Sequence, residues 1–371
     1  MNQSDLMLRA VSLAGQGKGK TRPNPCVGAV IVAGSEIVGQ GFHRVYGGNH
    51  AEVEAINMAL TQGYDLSSCT LFVTLEPCNH HGKTPPCTQA ILDSGLKHVV
   101  VGARDPNRSV AGGGIEHLRS KGIKVTAGVE EQACLDLIAD FMIWQTTSLP
   151  YLYLKMASTL DGRIATRFNH SRWVTCDASR RKVHQLRNVV QAVIIGGNTF
   201  YQDNPQLTCR GLNATVQPLA VVVTSRLPDP DCGLFLVKQT PGRTIFWTGH
   251  ETASSVSARK LKDLGCTVTG LDACGSGLDL GQGLKILRNG FNIHYAMCEG
   301  GGRIGMSLLQ AGLVHEIWHF AAMKILGDDQ ALPVFQGRAP QVMDEALEFR
   351  LGSVETIGTD VLLKLFPHMK D

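Results

Sequence analysis

His50-Ala51-Glu52 and, further on, Pro77-Cys78-Asn79-His80-His81-Gly82-Lys83-Thr84-Pro85-Pro86-Cys87 set the reading of this chain. His50, Cys78 and Cys87 offer one imidazole and two thiols, a donor set that suits zinc. A Cys₂His set leaves a tetrahedral Zn²⁺ one open position, which separates catalytic from structural zinc. Water at such a position becomes nucleophilic near neutral pH. Glu52 is then expected to carry protons and not to serve as a fourth ligand. His80 and His81 are rival ligands, but a site closed by four protein ligands has no room for water. They are expected at the mouth of the site instead.

The elements around this stretch read as follows. Ser4 is placed as the cap of a helix carrying Leu6, Met7, Ala10, Val11, Leu13 and Ala14. Val27 to Val38 reads as a hairpin turning at Ala33-Gly34-Ser35-Glu36. His50 opens a helix with Val53, Ile56, Ala59 and Leu60. Residues i and i+2 on a helix point about 200° apart, so His50 and Glu52 can converge only in its first turn. Thr70 to Leu75 is a strand, with Cys78 just past its carboxyl end, where open α/β sheets bind ligands. Pro85-Pro86 starts the next helix, so Cys87 falls in a first turn whose dipole favours the thiolate. Val99–Val101 and Val125–Gly128 read as strands around a Gly114–Ser120 helix, with a turn at Asp105-Pro106-Asn107. Strand and helix alternate, which predicts a layered α/β sheet.

The character changes between Gln145 and Pro150. Tyr151 to Ala157 is a near-alternating strand, and Asp161-Gly162 is a turn. A helix capped near Thr175 or Asp177 carries Val183, Leu186 and Val190. Val193–Ile195, Leu219–Val223, Thr244–Trp247 and Cys266–Val268 read as strands, and Asp272 to Gly283 as a Gly-rich acidic loop. Ile293 to Met297 is a strand running into Glu299-Gly300-Gly301-Gly302-Arg303-Ile304-Gly305, followed by a helix. Strand, glycines and helix start form a cradle of N–H groups for phosphate. Gly300, Gly302 and Gly305 satisfy G-x-G-x-x-G. No acidic residue follows about twenty positions on after a second strand, so this is not read as a Rossmann unit.

At 371 residues the chain is long enough for two domains. A mean hydropathy of zero describes an ordinary soluble protein. A net charge of +3 gives no footprint for nucleic acid. No apolar run approaches the ~20 residues of a membrane span, and the first residues lack a signal peptide's pattern. Eleven scattered cysteines point to a reducing cytoplasm.

H-x-E followed by P-C and a second Cys is the pattern of zinc base deaminases. Those acting on nucleic acids and nucleosides usually carry P-C-x-x-C, whereas eight residues separate Cys78 from Cys87 here. That insert, together with Thr21-Arg22-Pro23-Asn24-Pro25-Cys26-Val27-Gly28, resembles the bifunctional riboflavin-biosynthesis deaminase/reductase family. In order downstream come Lys155, Ala157, Thr159-Leu160-Asp161-Gly162-Arg163 and Ser171-x-Trp173-Val174-Thr175. After them come His184-x-Leu186-Arg187, Gly196-x-x-Thr199-x-x-x-Asp203-x-Pro205-x-Leu207-x-x-Arg210, Ser225 and Glu299-Gly300-Gly301.

The resemblance covers essentially the whole chain. It implies a cytidine-deaminase-like three-layer domain over residues 1–147 and a dihydrofolate-reductase-like domain over 148–371. It implies one Zn²⁺ per chain on His50, Cys78 and Cys87, with Glu52 catalytic. NADPH is expected against Ala157, Trp173, Thr199, Asp203, Ser225, Gly301, Gly302, Arg303, Ile304, Gly305, Met306 and Ser307. Substrate is expected on Ser171, Arg187, Leu207, Arg210 and Glu299. The two guanidinium groups suit a ribose phosphate. The implied substrate is a diaminopyrimidinone ribosyl phosphate, deaminated hydrolytically and then reduced from ribosyl to ribityl. Lys155 and Glu299 are the candidates for a general acid in the reduction. Ala157 stands where some relatives have Gly, and Ala178-Ser179-Arg180-Arg181-Lys182 adds positive charge. A nucleoside or tRNA deaminase and a zinc-stabilised binding protein are the competing readings. Homo-oligomers are compatible with the sequence.

Overall fold

The computed structural model describes residues 2–105, 113–211, 216–275 and 277–368. Contacts divide the chain into two compact units, Met1–Thr147 and Ser148–Asp371. The first holds strands β1 (Gly28–Ala33), β2 (Glu36–Phe42), β3 (Thr70–Leu75), β4 (His98–Ala103) and β5 (Lys124–Ala127). Its helices are α1 (Gln3–Ala14), α2 (Ala51–Thr61), α3 (Cys87–Asp93), α4 (Gly114–Ser120), α5 (Glu131–Leu137) and α6 (Ala139–Thr146). The sheet order is β2-β1-β3-β4-β5, antiparallel around β1 and parallel from β3 to β5.

Successive side chains of a strand point to opposite faces, and here both faces are apolar. Ala29, Ile31, Leu71, Val73, Val99 and Val101 pack against Ala51, Ala55, Ile91, Ile115 and Leu118 of α2, α3 and α4. Val30, Val32, Phe72 and Val100 pack against Leu6, Met7, Ala10 and Leu13 of α1. Three layers result. The cap of α1 differs from expectation. Asn2 accepts from the Asp5 backbone N–H while the Asp5 carboxylate accepts from Asn2, a reciprocal capping box. The Ser4 hydroxyl reaches Glu130 instead. The turn expected at Asp105-Pro106-Asn107 lies largely outside the described residues.

The second unit begins with β6 (Tyr151–Thr159), β7 (Arg163–Ala165), α7 (Asp177–Val189), β8 (Ala192–Gly196), α8 (Gly197–Asp203) and β9 (Leu219–Val223). Then come α9 (Phe235–Lys238), β10 (Thr244–Gly249), α10 (His250–Ala253), α11 (Val256–Asp263), β11 (Thr267–Leu271), β12 (Ala273–Cys274), β13 (Gly277–Leu278) and α12 (Leu280–Gly290). It ends with β14 (Tyr295–Glu299), α13 (Gly302–Gln310), β15 (Glu316–Ala322), β16 (Leu332–Pro333), β17 (Phe349–Ile357) and β18 (Asp360–Pro367). Nine strands form one sheet, ordered β11-β10-β9-β8-β14-β6-β15-β18-β17. All neighbours from β11 to β15 are parallel, and β18 and β17 add antiparallel pairs.

The Gly-rich stretch from Asp272 to Gly283 is not one loop. It forms the β12–β13 hairpin, and then Asp279 caps α12 by accepting from the Gln282 N–H at 2.9 Å. Gly283 is there for packing, since a Cβ on it would stand 2.9 Å from the Trp247 ring. The basic run after Ala178 is partly neutralised locally: Arg180 pairs with Asp177, and Lys182 with Glu355 at 3.0 Å.

The position of the first-unit site depends on how closely α2 approaches β2. A Cβ on Gly41 would stand 2.5 Å from Glu54 Cβ and 2.6 Å from the Ala51 carbonyl. Gly41→Val must therefore push away the turn that carries Glu52. We expect it to cost about 1–3 kcal/mol, measured by chemical unfolding.

Candidate functional site

His50 caps α2 in an extended conformation, at φ −75° and ψ 164°. Its side chain therefore leaves the helix direction, while Glu52 sits in the first turn. This is how two residues spaced i, i+2 come to face one site. Cys78 follows β3 on an irregular segment, and Cys87 is the first residue of α3 behind Pro86. His50 Nδ1 lies 3.2 Å from Cys87 Sγ and 3.6 Å from Cys78 Sγ. The Cys87 N–H donates to Cys78 Sγ at 3.3 Å, and the Thr88 hydroxyl to Asn79 at 2.8 Å, fastening the loop to α3.

The three donor atoms lie within 4.8 Å of one another, and neither His80 nor His81 belongs to the group. Without metal, the Cys87 thiol donates to the Cys78 thiolate. That contact, with His50, holds Cys78 down to about 4 and pushes Cys87 up. The same thiolate raises the His50 pKa. Glu52 is 3% exposed, and burial first, then the Cys78 charge, raises its pKa. Its Oε2 is buried without a hydrogen-bond partner. Two thiols, one imidazole and an unanswered carboxylate beside them fit a zinc ion with one open position.

His50, Glu52 and Cys78 face a cavity of about 480 Å³ that Asn24, His43, Glu76, His80 and Lys83 also line. His43, 2% exposed, places Nδ1 3.0 Å from the Asn49 carbonyl, which can only accept. Burial lowers the His43 pKa, so the ring is neutral and the other nitrogen, Nε2, is bare. It accepts from Asn24 Nδ2 at 3.3 Å, which fixes the orientation of that carboxamide. The Glu76 carboxylate accepts from the N–H groups of Ile115 at 3.0 Å and Asp105 at 3.3 Å. Sequence analysis assigned no role to Asn24, His43 or Glu76. Asn24 stands inside the quoted Thr21–Gly28 stretch and Glu76 directly before Pro77, so proximity to a motif was the one signal that could have found them.

In the second unit, β14 ends at Glu299 and the next two glycines have φ of +89° and +83°. No side chain caps α13, so its first-turn N–H groups are available to a phosphate. A Cβ on Gly302 would stand 2.8 Å from the Val334 carbonyl, which shows how tightly this turn is seated. Thr199 borders the run, with its hydroxyl 3.9 Å from where a Gly300 Cβ would be. Glycine-lined space of this kind fits a dinucleotide diphosphate.

Arg187 of α7 grips Glu299 with two parallel bonds, each 2.5 Å, and donates to the Thr208 carbonyl at 3.0 Å. Three of its five N–H groups are thus committed to protein groups, one on each nitrogen. Burial raises the Glu299 pKa, but Arg187 and Lys155 outweigh it and the net shift is downward. Lys155, half-buried beside Glu299 on β6, has its pKa lowered by burial, against the pull of Glu299. Arg210 is exposed, with its backbone N–H on His184 Nδ1 at 3.2 Å. Leu207 is 3% exposed at φ +49°.

Trp173 is 60% exposed, with the Arg180 guanidinium 4.3 Å above its ring. Ser171 is half-buried beside Arg172, which donates to the Asp203 carbonyl at 3.1 Å. The Ala157 methyl belongs to a small apolar cluster with Val183, Phe320 and Leu362. Ser225 is exposed just beyond β9, and Arg303 to Ser307 form the first two turns of α13.

Residues 1–103 match the cytidine and deoxycytidylate deaminase zinc-binding region, and residues 150–363 match the RibD C-terminal domain. The chain is 38% identical over 364 residues to the riboflavin biosynthesis protein RibD of Actinobacillus pleuropneumoniae, covering 98% of this chain and 95% of that one. It is 40% identical over 358 residues to the protein of that name from Aquifex aeolicus, covering 96% of each. A crystal structure of a diaminohydroxyphosphoribosylaminopyrimidine deaminase/5-amino-6-(5-phosphoribosylamino)uracil reductase from Thermotoga maritima is similar, with a TM-score of 0.78 at 38% identity over 98% of each chain.

Glu299→Ala would leave Arg187 buried and unpaired. We expect it to destabilise the second unit by about 3–5 kcal/mol, measured by chemical unfolding.

Proposed function

The chain belongs to the riboflavin-biosynthesis RibD family of bifunctional deaminase/reductases, and from that premise we propose how its residues divide the two reactions. Deamination belongs to residues 1–147 and reduction to residues 148–371. The substrate is 2,5-diamino-6-(5-phosphoribosylamino)pyrimidin-4(3H)-one and the final product 5-amino-6-(5-phosphoribitylamino)uracil. The observation that carries the first assignment is the buried Glu52 carboxylate, its Oε2 without a hydrogen-bond partner, beside a Cys₂His donor set in a cavity.

His50, Cys78 and Cys87 would hold a zinc ion, which when bound would acidify a water toward neutral pH. Glu52 is the group that would take up a proton and pass it to the departing ammonia. Its carboxylate, 3% exposed, is held out of water beside the donor set. Asn24, its amide nitrogen tied to His43, turns its carbonyl oxygen to the remaining side and can accept from an N–H of the pyrimidine. Lys83, whose ammonium sits 4.1 Å over the Tyr46 ring, gives the same cavity a cation.

In the second half the glycine run with the start of α13 would hold the diphosphate of NADPH, which when bound would supply the hydride that reduces the ribosyl side chain at C1′. Arg210 is the better placed of the two arginines for the ribose phosphate, because Arg187 is engaged with Glu299. Glu299 stays ionised beside Arg187 and so cannot serve as the acid. Lys155, with its lowered pKa, is the proton donor to the reduced product. Eleven free cysteines suit the reducing cytoplasm to which we assign the protein. Among the described residues no helix is long and apolar enough to cross a membrane.

One assay tests the pair of reactions: ammonia release and NADPH oxidation from the diaminopyrimidinone ribosyl phosphate, with and without a zinc chelator. Both should occur, and chelation should stop both. Ammonia without NADPH oxidation would overturn the reductase assignment; neither would bring a nucleoside or tRNA deaminase forward. Glu52→Gln should reduce deamination at least about 100-fold while metal analysis still finds one zinc per chain. Zinc loss in that variant would make Glu52 a ligand.

Lys155→Met should slow reduction by at least about 100-fold and leave NADPH affinity in place. In the native enzyme the protonated amine is needed, so the rate should fall as pH rises through a Lys155 pKa below its ordinary 10.5. An alkaline limb unchanged in the methionine variant would exclude Lys155.

A further inference from the structure

Asn204 to Arg210 follows α8 with no regular secondary structure, so its carbonyls have no helix or strand to pair with. Side chains take over that task, and four consecutive carbonyls, Gln206 to Cys209, each accept from one. Arg187 donates to Thr208 at 3.0 Å. The Gln217 amide donates to Cys209 at 3.2 Å while its own carbonyl accepts the Cys209 N–H at 2.7 Å. The remaining two carbonyls are held by a single residue, Arg243, in the short turn before β10. Its Nη2 donates to Gln206, and its Nη1 to Leu207 at 3.4 Å and to Pro218 at 2.7 Å.

Arg243 is half-buried, and among the described residues no carboxylate lies at ion-pair distance from it. Burial, and then the charge of Arg187, lower its pKa. The cation is therefore spent on backbone oxygens, and its planar fork ties the loop to Pro218, just before β9. Between the two gripped ends lies Leu207, buried at φ +49°. A leucine stays in that region only where its surroundings over-determine it. Three residues on, Arg210 is exposed, and its N–H is anchored on His184 Nδ1 at 3.2 Å. The turn of the chain at Leu207 thus sets the direction in which Arg210 is delivered.

We propose that Arg243 is a positioning residue of the reductase: by gripping the Gln206, Leu207 and Pro218 carbonyls it holds the loop in the conformation that presents Arg210 to the ribose phosphate. This rests on reading Arg210 as the phosphate ligand. Arg243 itself does not touch the substrate. Lysine there would keep the charge, but a point donor on a flexible stem cannot hold several carbonyls in one plane.

The test is steady-state reduction of 5-amino-6-(5-phosphoribosylamino)uracil and of its dephosphorylated counterpart by the full chain. Arg210→Gln should erase roughly 10- to 100-fold of the native preference for the phosphorylated substrate in kcat/KM. Arg243→Lys and Arg243→Met should each lose a comparable part, through the KM of the phosphorylated substrate, with kcat and the KM for NADPH unchanged. Combining Arg210→Gln with Arg243→Lys should cost no more than Arg210→Gln alone, because both act on one contact. Full preference in Arg243→Lys, an equal fall for both substrates, or a further loss in the double variant would each overturn the proposal. Full preference in Arg210→Gln would instead remove the phosphate assignment on which it rests. A native melting temperature for Arg243→Lys establishes that the variant is folded, whatever becomes of the methionine one.

Discussion

A carboxylate taken out of water must be answered by a cation, by hydrogen bonds, or by protonation. Each unit is built around one such group. Glu299 is answered in full: Arg187 meets both of its oxygens and Lys155 stands on the neighbouring strand. Glu52 is answered only in part, since Oε2 has no partner and the nearby thiolate raises its pKa further. The first arrangement fixes charge in place. The second leaves one buried oxygen open to a proton or to a further donor.

Both units also use the carboxyl ends of parallel strands. In the first, β3 leads to Cys78 and α3 begins at Cys87, so the two thiols come from a strand exit and a helix entrance. In the second, the exits of β14, β8 and β9 supply the glycine run, Thr199 and Thr224 in adjacent positions. Parallel strands exit on one edge, and the loops there collect functional groups from distant parts of the chain. Rigid sheet geometry then sets distances that loops alone would not hold.

Much of this was legible before any coordinates. Thr70–Leu75 is a strand with the bounds its run of β-branched and apolar residues implies, and the convergence of His50 and Glu52 follows from a cap position. Other features have no local signature. Gly283 of α12 reads as part of a loop because its purpose is to admit the Trp247 ring, a contact invisible in its own neighbourhood. The bond between Arg187 and Glu299 joins residues far apart in sequence, as does the pairing of Asn24 with His43. β15, β17 and β18 were not assigned at all. Along β17, Leu351 and Val354 are exposed, and the strand lies at the sheet edge, where the hydrophobic period is weakest.

Leu207 shows backbone strain and packing set against each other at one residue. A buried, branched side chain held at φ +49° costs roughly 1–2 kcal/mol against a conformation that glycine or asparagine tolerates. Glycine there would ease the chain and in the same stroke remove a side chain that is 3% exposed, so the backbone would relax at the cost of a hole where the leucine sits.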